Sequence, residues 1–179
     1  MSQRIDKFGI RYVSKVETRM QKGMLIFFCG KMGAGKTTVA HDMARRMNGV
    51  RFGEDEWLGQ LFPNKIASVA DYKHYSDLIK PLVKETAQKL LNAGVNVVLD
   101  FPGNTVAQRQ WLKSISDEVS ACHRLVLLDT PTDECLARIK KRANPISDTE
   151  EMFGIMLKFF SVPTEDEGLV IEIVNEANG

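Results

Sequence analysis

The chain has 179 residues, of which 44% are hydrophobic and 26% charged, and its formal net charge is +1. These values are typical of one globular domain with a sizeable core, and the near-zero charge argues against bulk attraction to nucleic acid or a membrane surface. No apolar run reaches membrane-spanning length, the first residues are too charged for a signal peptide, and the three cysteines lack metal-ligand spacing. We therefore expect a cytoplasmic protein with reduced thiols.

Residues 1–22 are predicted to form an extra N-terminal amphipathic helix ahead of a single domain over 23–179. The prediction depends on apolar side chains at roughly helical spacing: Ile5, Phe8, Tyr12, Val13, Val16 and Met20. Packing of this helix on the domain is one interpretation, and self-association into a homodimer is the other.

The domain itself reads as strands alternating with helices. Met24–Cys29 is an apolar run typical of a buried parallel strand. Further strands are predicted over 50–52, 95–101, 124–129 and 169–174. Helices are predicted from the loop after the first strand to about Met47, and over 71–93, 105–116, 133–142 and 148–160. Pro81 lies inside the second of these, so we expect a kink or a break there. This alternation predicts a doubly wound α/β domain with a five-stranded parallel sheet.

The most informative motif follows the first strand. Residues 30–37 match G-x-x-x-x-G-K-[ST] completely and stand between a predicted strand and a predicted helix, the context that a phosphate-binding loop requires. Its backbone N–H groups would cradle phosphates, Lys36 would reach the β- and γ-phosphates, and the Thr37 hydroxyl would hold Mg²⁺. The predicted nucleotide-binding residues are Gly30, Gly33, Ala34, Gly35, Lys36, Thr37 and Thr38. The alternative is a glycine-rich turn that holds no ligand.

Carboxylates occur where ligands bind such sheets, at the carboxyl ends of strands: Asp55, Asp100 and Asp129. Asp55 is the candidate to accept the proton of an acceptor hydroxyl, with Glu54 as the fallback and a helix N-cap as the alternative role. Asp100 ends an apolar strand in the pattern of a Walker B aspartate, which predicts contact with Mg²⁺ or substrate. A capping role is its alternative.

A basic helix near the end of the chain carries the next candidates. Arg138 and Arg142 are spaced i,i+4 and share one helix face, and guanidinium groups suit phosphate oxygens. We expect both to act catalytically from a helix that leads into a mobile helical lid over about 140–163, and the alternative is a solvated basic face.

Two weaker candidates remain. Arg109 is interpreted as a substrate contact or as a surface residue. The polar aromatic segment 72–75 is interpreted as part of the acceptor site or as half-buried packing.

With these residues in view, the chain resembles the small P-loop kinases of the AAA_33 / zeta-toxin-like group, which is similar to chloramphenicol phosphotransferase and to the polynucleotide 5′-hydroxyl kinase domain. The resemblance covers about residues 23–175. It depends on five segments: Gly30–Thr37, Glu54–Leu58, Val98–Asp100 with Arg109 downstream, Leu136–Arg142, and Phe160–Glu167.

The resemblance implies a nucleotide-kinase-like P-loop NTPase fold and a phosphotransferase with ATP as donor. It implies Lys36, Asp55, Arg138 and Arg142 as catalytic residues, with Asp100 aiding metal or acceptor. The acceptor would be a hydroxyl-bearing small molecule that the resemblance does not name. The polynucleotide kinases have an arginine after the Asp55 position where Glu56-Trp57-Leu58 stands here, which argues against a nucleic-acid acceptor. The competing function is a nucleotide-dependent ATPase or switch without a transfer acceptor.

Overall fold

The computed structural model describes residues 3–5, 11–13, 21–142 and 149–174. The strands are β1 (Gln3–Ile5), β2 (Arg11–Val13), β3 (Met24–Cys29), β4 (Val50–Gly53), β5 (Val97–Pro102), β6 (Cys122–Leu128) and β7 (Ile171–Val174). The helices are α1 (Lys36–Arg46), α2 (Glu54–Leu61), α3 (Val69–Asn92), α4 (Val106–Asp117), α5 (Thr132–Arg142) and α6 (Glu150–Phe159), followed by a 3-10 turn over Glu165–Glu167.

The main sheet confirms the predicted architecture. It has five strands in the order β4-β5-β3-β6-β7, and every neighbouring pair is parallel. The chain leaves β3 toward β4 and β5 on one side and later fills β6 and β7 on the other. The carboxyl end of β3 is therefore the point at which the strand order reverses, where such sheets open a ligand crevice.

The core lies on both faces of this sheet because successive side chains of β3 point to opposite sides. Leu25 and Phe27 pack with α2, α3 and α4 on one face, whereas Ile26 and Phe28 pack with α1, α5 and α6 on the other. All four side chains are fully buried. An apolar run that is buried on both faces explains why the strand shows no alternation in sequence.

The predicted N-terminal helix is wrong for the residues described there. β1 and β2 pair antiparallel, with Gln3 opposite Val13 and Ile5 opposite Arg11. Tyr12 and Val13 favour extended backbone, and Gly9 weakens any helix that would span the segment. The apolar spacing that predicted a helix is also compatible with two short strands.

The helix α3 excludes one of the two outcomes expected at Pro81, a kink or a break. It is a single helix of 24 residues that contains Pro81, so the break does not occur. Ile79, Val83 and Ala87 lie on its buried face on both sides of the proline, and this packing offsets the hydrogen bond that Pro81 cannot donate. Part of the predicted lid, residues 143–148, lies outside the described residues. Among the residues described, no helix combines the length and the apolar character needed to cross a membrane.

Candidate functional site

The predicted phosphate loop connects β3 to α1. Gly33 and Gly35 have φ angles of 80° and 95°, in the left-handed region that glycine adopts without strain. A Cβ atom on Gly33 would lie 2.5 Å from the carbonyl oxygen of Cys135 on α5, which packs directly against the loop. The loop conformation therefore depends on glycine at these two positions.

The Lys36 ammonium folds back over the loop. Its Nζ donates to the carbonyl oxygens of Gly30, at 2.6 Å, and Lys31, at 2.9 Å. Burial lowers the pKa of Lys36, and the carboxylates of Asp100 and Asp55 act in the opposite direction. The ammonium is thus held at the mouth of the loop, where it can exchange carbonyl oxygens for phosphate oxygens.

The start of α1 is suited to anions. Its N-cap is Gly35, and no side chain among the described residues caps it. The first N–H groups of a helix have no acceptor within the helix and lie at its positive end. In this helix they belong to Lys36, Thr37 and Thr38, so the chain offers donors where the phosphates of a nucleotide would lie.

Asp100 lies beside Thr37. It pairs in register with Gly53 at the end of β4, which brings it to the start of α2. Burial raises the pKa of Asp100, while a hydrogen bond from the Thr37 hydroxyl and the charge of Arg51 lower it. Hydroxyl and carboxylate oxygens are ligands that Mg²⁺ prefers, so this donor set fits the predicted metal. Asp100 lies within β5 and caps no helix.

Arg51 also contacts Asp100, a contact that was not predicted from the sequence. Its Nη1 lies 3.1 Å from the Asp100 carboxylate, and its other terminal nitrogen pairs with Glu56. The guanidinium is nearly buried, with 11% of the side chain exposed. Nothing in the short strand pattern of 50–52 indicates that Arg51 faces the crevice.

Asp55 lies in the first turn of α2, two residues after Gly53. Gly53 is the N-cap of this helix, so the N-cap role expected as the alternative for Asp55 is not observed. Its side chain is exposed to the crevice, and the hydroxyl of Tyr72 on α3 lies 3.0 Å from its Oδ1. The Asp55 carboxylate is therefore accessible, and its role as proton acceptor stays a prediction.

Glu54, the fallback base, lies in a different environment. It is only 2% exposed, its Oε2 lies 2.6 Å from the Tyr72 hydroxyl oxygen, and its Oε1 accepts a hydrogen bond from the Ser76 hydroxyl. Burial raises the pKa of Glu54, and the hydrogen bonds from Ser76 and Tyr72 oppose that shift. The structure thus separates the two acidic neighbours into one buried and one accessible group.

The arginines of the basic helix lie on α5. Cys135 of this helix contacts the phosphate loop, and Arg138 follows three residues later, 2.5 Å from Glu134. Arg142 is the exposed last residue of α5. The helix carrying the arginines therefore touches the loop, whereas their role as lid residues stays a prediction.

Arg109 is neither a substrate contact nor a surface residue. It is fully buried and binds Glu167 through two bonds of 2.7 Å. It also donates to the carbonyl oxygens of Ser161, at 2.8 Å, and Gly103, at 3.2 Å. This pair ties the segment after α6 to the end of β5.

Asn104 extends that connection to the phosphate loop. Its side-chain oxygen accepts from the N–H of Gly30 at 3.1 Å, and its carbonyl oxygen accepts from the N–H of Ser161 at 2.9 Å. An asparagine after a Pro-Gly pair gives no sign of this role in sequence.

The polar aromatic segment 72–75 divides between the two interpretations. Tyr72 contacts Glu54 and Asp55 of α2, as described above. The ring of Tyr75 packs on Phe62 with 4.5 Å between ring centres, and it lies against the core. Tyr75 is therefore half-buried packing.

Comparison with known proteins agrees with this geometry. The AAA_33 family model, described as an AAA domain, matches residues 25–163. The shikimate kinase of Colwellia psychrerythraea is 29% identical over 127 residues, which are 70% of each chain. The bifunctional enzyme NodQ of Azospirillum brasilense is 23% identical over 147 residues, 75% of this chain but only 22% of that longer protein.

Solved structures show the same fold. A protein of Chloroflexus aurantiacus superposes with a TM-score of 0.70 at 16% identity, covering 89% of this chain and 88% of that one. The APS kinase CysC of Mycobacterium tuberculosis, solved with AMPPNP and APS, gives a TM-score of 0.61 at 16% identity, covering 88% and 91%. At these identities the likeness establishes the fold.

Proposed function

Because the chain belongs to the AAA_33 family of AAA domains, we propose that it is an ATP-dependent kinase that transfers the γ-phosphoryl group to a hydroxyl of a small molecule. The similarity to the shikimate kinase of Colwellia psychrerythraea and the fold shared with APS kinase support a phosphotransferase. The near-neutral charge supports a small acceptor rather than a nucleic acid.

One observation carries the proposal. The Thr37 hydroxyl bonds to the Asp100 carboxylate, and the charge of Asp55 acts on the pKa of both Lys36 and Asp100, so the four groups lie close together. Phosphoryl transfer needs positive charge on the donor phosphates, oxygen ligands for Mg²⁺ and a carboxylate at the acceptor hydroxyl. These four residues supply all three.

Each residue then has one task. The start of α1 and Lys36 bind the donor phosphates, and Thr37 and Asp100 would hold Mg²⁺, which neutralises charge on the phosphates. Asp55 accepts the proton of the acceptor hydroxyl while the oxygen of that hydroxyl attacks the γ-phosphorus. The bond from that phosphorus to the bridging oxygen breaks, and ADP leaves with the electron pair. Arg138 and Arg142 are proposed to stabilise the transferring group from α5.

A screen with γ-labelled ATP tests the proposal. We expect label to move to one class within a panel of sugars, hydroxy acids, nucleosides and amino alcohols, and we expect Lys36→Ala to abolish the transfer. Steady release of labelled inorganic phosphate at a rate that no acceptor changes would instead establish an ATPase.

A further inference from the structure

The hydroxyl of Tyr72 lies between two carboxyl groups. Its oxygen is 2.6 Å from Glu54 Oε2 and 3.0 Å from Asp55 Oδ1. A phenol has one proton and can make one strong, nearly linear hydrogen bond with it, so it serves only one of these two oxygens well. If both carboxyl groups were ionised, one of the two close contacts would join two acceptors with no proton between them.

A second proton, carried by one of the two carboxyl groups, would supply the missing hydrogen bond. The surroundings of Glu54 and Asp55 decide which of them carries it. Glu54 is 2% exposed, and α3 places Tyr72, Ser76 and Lys80 around it. Lys80 already pairs with Asp77, 2.7 Å from its Nζ, and on its own helix Glu54 has the like charge of Asp55 beside it. Asp55 is exposed to water, which solvates a charge.

We propose that Glu54 is protonated in the resting protein and that Tyr72 is a positioning residue for Asp55. The protonated Glu54 donates through Oε2 to the Tyr72 oxygen, Ser76 donates to the other Glu54 oxygen, and Tyr72 donates to Asp55. Every close contact then contains one proton. The catalytic role of this series of hydrogen bonds rests on the proposed kinase function, whereas the proton on Glu54 does not.

This arrangement has a chemical consequence. A hydrogen bond from the Tyr72 hydroxyl fixes the orientation of the Asp55 carboxylate in the crevice. Glu54 contributes a donor without adding a second negative charge near the phosphates.

Difference infrared spectroscopy of the full chain tests the proton on Glu54 without any acceptor. At neutral pH we expect the carbonyl stretch of a protonated carboxylic acid in the wild type and its loss in Glu54→Gln. The matched control Glu85→Gln removes an exposed glutamate paired with Lys89, and it should leave the band in place. Absence of the band from the wild type would overturn the proposal.

The kinetic test compares two tyrosines of α3. Tyr72→Phe should lower kcat about tenfold, the value of one hydrogen bond to a charged group, with KM for both substrates unchanged. Tyr75→Phe should leave kcat and both KM values unchanged. An unchanged kcat in Tyr72→Phe would overturn the role of Tyr72. If the wild type phosphorylates nothing, the kinase function fails, and the infrared band still decides whether Glu54 is protonated.

Discussion

The two sides of the crevice are built in different ways. On the phosphate side, Lys36 bonds to carbonyl oxygens five and six positions earlier, and glycine dihedral angles shape the loop. On the other side, side chains distant in sequence make the structure: Tyr72 reaches back 18 positions to Glu54, and Arg51 pairs with Asp100 49 positions later. A local motif can therefore specify the first side, but only the folded chain specifies the second.

The largest expected effect comes from another contact between residues distant in sequence, the buried pair of Arg109 and Glu167. Arg109→Ala leaves Glu167 buried without its partner, and we expect a loss of about 3–5 kcal/mol in the free energy of unfolding. Urea unfolding measures it. The control is Arg124→Ala, which removes the more exposed pair with Glu172 and should cost at most about 1 kcal/mol. Equal losses in the two variants would show that the buried pair is not structurally important.

The phosphate side should respond in binding rather than in stability. Lys36→Ala removes the ammonium at the loop, and we expect the Kd for ATP·Mg²⁺ to rise about 10- to 100-fold by calorimetry, with little change in unfolding. Lys89→Ala, on the exposed face of α3, is the matched control. Unchanged affinity in Lys36→Ala would contradict the assignment of the loop.

A smaller effect is expected on α5, which packs against the phosphate loop. Arg138→Ala should lower kcat about tenfold while the Kd for ATP changes less, because its charge acts on the transferring group. Steady-state kinetics of the identified transfer measures it, with Arg45→Ala of α1 as control. A change in Kd alone would place Arg138 in nucleotide binding.

The smallest effect is a dependence on pH. Burial raises the pKa of Glu54 in the folded protein. At pH values above the ordinary pKa of a glutamate, the folded protein therefore holds a proton that the unfolded chain has lost. Wild-type stability should therefore fall relative to Glu54→Gln as pH rises through the folded pKa. A hydrogen bond from Lys89 lowers the pKa of Glu85, so the control Glu85→Gln should not reproduce this trend. A constant difference between wild type and Glu54→Gln across pH would contradict the raised pKa.

Much of the fold could be predicted from the sequence because its signals are local. Apolar runs such as Met24–Cys29 and breaks such as Pro102-Gly103 located the five strands to within a few residues. The N-terminal segment could not be predicted, since apolar residues at mixed spacing fit a helix and two strands equally.

The site could be predicted only in part, for the same physical reason. The loop and the aspartates at strand ends follow from local pattern and from the topology of parallel sheets. The contacts of Arg51, Tyr72 and Asn104 depend on how the elements pack in three dimensions. The spacing of residues in the sequence does not predict that packing. Arg109 was misread because an arginine is rarely buried, and its partner Glu167 lies 58 positions away.

Asp55→Asn tests the central claim most directly, with transfer of the γ-phosphoryl group and the Kd for ATP·Mg²⁺ measured on the same protein. The account predicts a rate of transfer lower by about 10²- to 10⁴-fold with the Kd unchanged, since only the proton acceptor is lost. Asp117→Asn, an exposed aspartate paired with Lys113, should transfer at the wild-type rate. Transfer by Asp55→Asn at the wild-type rate would contradict the account.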